Sequence, residues 1–155
     1  MLLSDFISPD SAVASLRAKS KKQLLQDLSA RAARLTGLSE RDVFEVLLQR
    51  ERLGSTGLGH GIAIPHGEVQ GLKRIVGIFA RLAEPVDFEA IDGEKVDTVF
   101  LLLAPEGAGA DHLKALARIS RLLREGSAVD KLRACKDAAA LYAVLTEGEA
   151  SSHAA

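Results

Sequence analysis

Residues 49–67, Gln-Arg-Glu-Arg-Leu-Gly-Ser-Thr-Gly-Leu-Gly-His-Gly-Ile-Ala-Ile-Pro-His-Gly, concentrate the groups of this chain that can do chemistry. Near the end of the stretch, His66 stands between Pro65 and Gly67. Pro65 has a fixed φ and no N–H, so the apolar strand Ile62-Ala63-Ile64 is expected to stop there and present the histidine at its end. Gly67 has no Cβ and is expected to let another molecule approach the backbone closely. An imidazole titrates at about pH 6.5 when unperturbed, so His66 is largely neutral at cellular pH and can attack through a ring nitrogen. A histidine in an ordinary turn fits the same residues, and the spacing leaves both readings open.

Three other chemistries fit the stretch poorly. Gly54 and Gly59 have P-loop spacing, but His60-Gly61 stands where Lys-Ser/Thr is required, so no lysine reaches a terminal phosphate. Gly57, Gly59 and Gly61 form a partial dinucleotide fingerprint. A strand follows it, not the helix N-terminus that a pyrophosphate needs. His60 and His66 lack a convincing third partner for a metal, and neither a metal nor another cofactor is expected.

Three further elements bear on His66. His112 falls in the first turn of an expected helix, where free N–H groups favour an anion and disfavour an imidazolium. Arg50 ends the helix before the glycine loop and can supply a fixed charge, or pair with Glu51. Ser55 and Thr56 can donate hydroxyls from the loop, or cap its turn. Together these groups suit a covalent phosphoryl intermediate, which needs in-line access to a nucleophile and donors to the equatorial oxygens.

The flanking elements are readable from period and caps. Ser20 and Gln23 form a capping box ahead of Leu24, Leu25, Leu28, Ala32 and Leu35, and Gly37 is a natural stop. Ser39 opens a second helix that should end before Gly54. A third helix should begin near Asp111, and Ser127 and Asp137 are expected to cap two more. The runs Ile62–Ile64, Ile75–Ala80 and Val96–Leu103 read as strands, with an Asp92-Gly93 turn before the last. The last two are apolar on nearly every residue, so helices should cover both sheet faces. The expected fold is an α/β or α+β sandwich, in one domain over residues 1–147 with a frayed tail at 148–155.

Composition narrows the function classes. The chain has 155 residues, 47% of them hydrophobic and 26% charged, with a formal net charge of −1. That excludes wholesale disorder and argues against a general nucleic-acid binder, which needs excess cations to displace counterions. The single cysteine, Cys135, allows no internal disulfide and suits a reducing compartment. No signal peptide or membrane-length apolar run is visible, so a cytoplasmic protein is expected.

The run from Arg50 to Gly67 resembles the nitrogen-regulatory branch of the fructose/mannitol-type enzyme IIA family of the bacterial phosphotransferase system. The likeness continues through Glu84–Gly93, Phe100–Pro105 and His112-Leu113-Lys114-x-Leu116-Ala117. It implies that His66 is the phosphorylated residue and that His112 and Arg50 help hold the phosphoryl group. It also implies the mixed, helix-flanked sheet. In the family, phosphate flows from phosphoenolpyruvate through enzyme I and a histidine phosphocarrier protein, and in this branch the phosphorylation state is itself the output. Potassium transport proteins and sensor kinases are among the partners of relatives.

Two residues depart from the family pattern. His60 replaces a small polar residue or amide, and Glu68 replaces the more usual Lys or Arg. A carboxylate near a phosphohistidine is expected to weaken docking of an acidic partner or to raise the cost of the phosphorylated form, so Glu68→Lys should speed transfer. Two other functions fit the same residues: a sugar-specific IIA component feeding a permease, and an interaction module whose His66 is not phosphorylated.

Overall fold

The structure is a computed structural model, and it describes residues 1–149. Two short 3-10 turns, Leu3–Asp5 and Pro9–Ser11, precede strand β1 (Ala12–Leu16). Helices α1 (Lys21–Thr36) and α2 (Glu40–Arg52) follow, and then five strands: β2 (Gly57–Gly59), β3 (Ile62–Ala63), β4 (His66–Val69), β5 (Val76–Val86) and β6 (Val96–Pro105). Helices α3 (Ala110–Arg124), α4 (Gly126–Ala134) and α5 (Ala138–Leu145) close the described chain.

The caps act as their chemistry dictates. Ser20 accepts from the Gln23 N–H at 3.1 Å, and Ser39 from that of Asp42 at 3.3 Å. Gly37 ends α1 in the left-handed region at φ 77°, which costs a glycine nothing. Asp137 caps α5 through the Ala140 N–H at 2.8 Å. Ser127 is not a cap: α4 begins at Gly126, with Glu125 in the capping position and no side-chain hydrogen bond.

The sheet runs β1-β5-β6-β3-β2, with β4 also paired to β6. It is mixed: β5 and β6 are antiparallel, whereas β1 on β5 and both β3 and β4 on β6 are parallel. Alternation along β6 feeds two cores. Val99, Leu101 and Leu103 pack with Leu24, Leu28, Val43 and Leu47 of α1 and α2. Phe100 and Leu102 pack with Ala115, Ile119, Leu132 and Leu141 of α3, α4 and α5. The continuous apolar run of β6 is thus explained, because both faces of the sheet are covered.

Pro65 does not end the sheet as expected. β3 and β4 lie end to end along β6, with Ile62 opposite Thr98 and His66 opposite Leu102. Pro65 lacks a donor but keeps its acceptor, and its carbonyl takes the Leu102 N–H at 3.0 Å. His66 is therefore the first residue of a resumed strand. At the other end of the chain, Glu149 is buried, and its carboxylate accepts from the N–H groups of Leu3 (3.1 Å) and Ser4 (3.0 Å) and from the Ser4 hydroxyl (2.9 Å). The expected frayed tail, 148–155, is thus held at Glu149, and its residues 150–155 lie outside the described residues.

Candidate active site

The pleat of β4 sorts its side chains. Val69 belongs to the core under α1 and α2, and Gly67 faces Val46 of α2. His66 and Glu68 take the alternate positions, and both meet His112 in the first turn of α3. The His66 and His112 ring centroids are 5.8 Å apart at an interplanar angle of 71°. The two histidines singled out in the sequence, 46 positions apart, thus share one site.

His66 is half-buried, and its Nδ1 lies 2.8 Å from the Ile64 carbonyl oxygen. A carbonyl only accepts, so Nδ1 carries the proton and Nε2 holds the lone pair. Burial chiefly holds the imidazole below its ordinary pKa. The charges of Arg50 and His112 act in the same direction, while the Ile64 carbonyl and the Glu51 carboxylate oppose them. The net result is a neutral ring with an oriented nucleophilic nitrogen near a guanidinium.

Arg50, in the last turn of α2, donates to the Gly54 carbonyl at 2.9 Å. That bond fixes the guanidinium across the start of the glycine loop. The alternative ion pair of Arg50 with Glu51 is not formed. Glu51 is buried and instead takes the Lys21 ammonium at 2.9 Å, the Thr56 N–H at 3.1 Å and the Thr56 hydroxyl through a short hydrogen bond.

The loop hydroxyls differ from their expected use as phosphoryl donors. Thr56 is buried, and its hydroxyl proton is committed to Glu51. The Ser55 hydroxyl donates to the Phe88 carbonyl at 2.8 Å and accepts from the Gly57 N–H at 3.1 Å. Both hydroxyls hold the loop in place, and neither proton is free for a second acceptor. Gly67 is likewise reassigned. It is buried, and the side a Cβ would occupy is filled from within by Val46, not left open to another molecule.

Composition alone did not single out Glu51 and Lys21, because a Glu in a helix and a Lys at a helix start are ordinary surface residues. His60 sits in the left-handed region at φ 56°. Its N–H donates to Asp92 at 3.0 Å, and its carbonyl accepts from Arg133 at 2.7 Å. Among the described residues, no group of three or more His, Cys, Asp or Glu side chains could hold a metal ion. No helix among them is long and apolar enough to cross a membrane.

A mixed sheet between two helical layers, with a tautomer-fixed histidine facing a second histidine at a helix start, defines an α/β domain built around a histidine pair. The chain belongs to the family described as phosphoenolpyruvate-dependent sugar phosphotransferase system, EIIA 2, which matches residues 5–148. It is 61% identical over 145 residues to a nitrogen regulatory protein of Bradyrhizobium diazoefficiens, covering 94% of this chain and 95% of that one. The crystal structure of nitrogen regulatory protein IIA-Ntr from Neisseria meningitidis superimposes with a TM-score of 0.88 at 39% identity, covering 93% of this chain and 99% of that one. The mannitol IIA of Escherichia coli shares the fold, with a TM-score of 0.75 at 18% identity over 89% of this chain and 97% of that one.

Proposed function

We propose that this protein is a cytoplasmic phosphoryl carrier that accepts a phosphoryl group on His66 from a histidine phosphocarrier protein and signals by its phosphorylation state. The observation that carries the reading is the 2.8 Å contact of His66 Nδ1 with the Ile64 carbonyl, which leaves Nε2 as the free nucleophile. In the transfer step, the Nε2 lone pair attacks phosphorus as the donor's N–P bond breaks. The donor ring, already protonated on its other nitrogen, leaves as neutral imidazole. His66 keeps its Nδ1 proton donated to the Ile64 carbonyl, so the positive charge passes from the donor ring to the phosphorylated ring. Arg50 offsets charge on the transferring group, and His112 approaches it from α3. Ser55, Thr56 and Gly67 act indirectly, by holding the loop and the helix that carry Arg50.

The high identity to proteins named for nitrogen regulation supports a regulatory output over the sugar-specific alternative. The regulated targets are proteins that distinguish a neutral from a dianionic face at His66, potassium transporters and sensor kinases being candidates. Phosphorus NMR after incubation with the phosphorylated donor tests the chemistry. The reading expects an acid-labile Nε2-phosphohistidine signal. A signal at Nδ1, or at a residue other than histidine, would contradict it.

A further inference from the structure

Glu68 is exposed, yet its carboxylate points at a partner. Its Oε1 lies 3.8 Å from Nδ1 of His112, whose side chain is only 14% exposed. The other ring nitrogen of His112, Nε2, is buried and has no hydrogen-bond partner among the described residues. One nitrogen thus faces a carboxylate, and the other is a polar atom kept dry with nothing to bind, in a ring packed edge-on to His66.

We propose that Glu68 is the positioning residue for His112: its carboxylate, 3.8 Å from Nδ1, favours a proton on that nitrogen through its charge, so that the ring takes a second proton at Nε2 and donates a hydrogen bond from it to an oxygen of the phosphoryl group on His66. The inference rests on the reading of His66 as the phosphoryl acceptor.

An imidazole whose Nδ1–H faces a carboxylate has a lone pair at Nε2, and a lone pair repels a phosphoryl oxygen. Arrival of the dianionic group changes the balance. One proton taken from water at Nε2 makes an imidazolium with a carboxylate on one side and a phosphoryl oxygen on the other, both in charge-assisted contact. The buried nitrogen then gains the partner it lacks. The charged and titratable groups around His112 are few. His66 and Glu68 face it from β4, and Arg50 and Glu51 of α2 act on His66. Asp111 and Lys114 are its neighbours on α3, and Glu106 lies in the loop before that helix. This pairing reverses the effect expected for Glu68 from the sequence, since the carboxylate supports the phosphorylated form through His112.

Nitrogen-15 NMR of histidine-labelled protein tests the proposal with Glu68→Gln, which removes the charge at constant size, and Glu68→Asp, which keeps it. In the free wild type, His112 is expected as the Nδ1–H tautomer, and after phosphorylation as a ring protonated on both nitrogens. Glu68→Gln should mix the tautomers and lower the phosphorylated fraction at equilibrium with the donor by about threefold or more, the moderate size reflecting a half-exposed carboxylate. Glu68→Asp should restore part of both. Wild-type His112 shifts in Glu68→Gln, or an unchanged phosphorylated fraction, would overturn the proposal. A wild type that takes up no phosphate while its His112 tautomer still follows Glu68 would overturn the carrier reading and the donation step, leaving only the pairing.

Discussion

A β-carbon placed on Gly67 would stand 2.4 Å from Cγ1 of Val46, far inside van der Waals contact. Helix α2 is therefore pressed against β4 at a point one residue from His66. Arg50 lies one turn beyond Val46 on the same helix, so this contact sets the distance from the guanidinium to the imidazole.

Gly67→Ala should accordingly push α2 outward, destabilising the protein by about 1–3 kcal/mol, as overpacking does. Phosphorylation of His66 should fall with it. The double variant Gly67→Ala, Val46→Ala vacates the clashing methyl groups and should recover both. Urea denaturation beside a phosphorylation assay checks this, and a double variant no better than the single one would refute the packing argument.

Glu51 anchors the glycine loop from inside. Replacing it with Ala leaves the buried Thr56 N–H without its partner and takes from the Lys21 ammonium, whose side chain is 15% exposed, the nearer of its two carboxylates, Glu89 remaining at 3.9 Å. Removing one side of such a buried pair costs about 3–5 kcal/mol. Thermal and denaturant unfolding of Glu51→Ala should show a loss of that size, and Glu51→Gln, which can still bond Thr56, a smaller one.

The depressed pKa of His66 has a defined sign in stability. Above about pH 6.5 the ring is neutral in both folded and unfolded chains and adds no pH dependence. Below it, the unfolded chain takes a proton that the folded ring resists, so stability is lost as the pH falls toward the folded value. Denaturation midpoints measured between pH 7.5 and 5.5 should drop less steeply in His66→Gln than in the wild type. Equal slopes would mean that burial does not depress the ring.

Glu149 ties the end of the described chain to its beginning. Its carboxylate is buried against Leu3, Ser4 and the Arg118 guanidinium at 3.6 Å. Glu149→Ala strips hydrogen bonds from two backbone N–H groups and should cost about 1–3 kcal/mol. Hydrogen exchange should rise first at Leu3 and Ser4. Unchanged protection there would show that the contact does not hold the N-terminal turn.

The features legible in the sequence were the local ones. Ser20, Ser39 and Asp137 cap helices within three residues of themselves, and Val96–Pro105 shows its double burial in its own composition. β1 and β4 were not legible. Ala12–Leu16 carries no turn signal and forms by pairing with Phe79 to Leu82, and His66–Val69 is a strand because β6 supplies the register. The site divides in the same way. His66, His112 and Arg50 stand out by residue type and by the elements that end or begin at them. The hydroxyls of Ser55 and Thr56 looked available because their acceptors, the Phe88 carbonyl and the Glu51 carboxylate, are tertiary partners.

The carrier role turns on whether His66 takes a phosphoryl group. Intact mass of the protein should be measured after incubation with phosphoenolpyruvate, enzyme I and the histidine phosphocarrier protein, beside His66→Ala. One acid-labile phosphoryl adduct on the wild type, absent from His66→Ala, is the predicted result. No adduct on the wild type, with the donor proteins active on another acceptor, would contradict the account and leave a binding module.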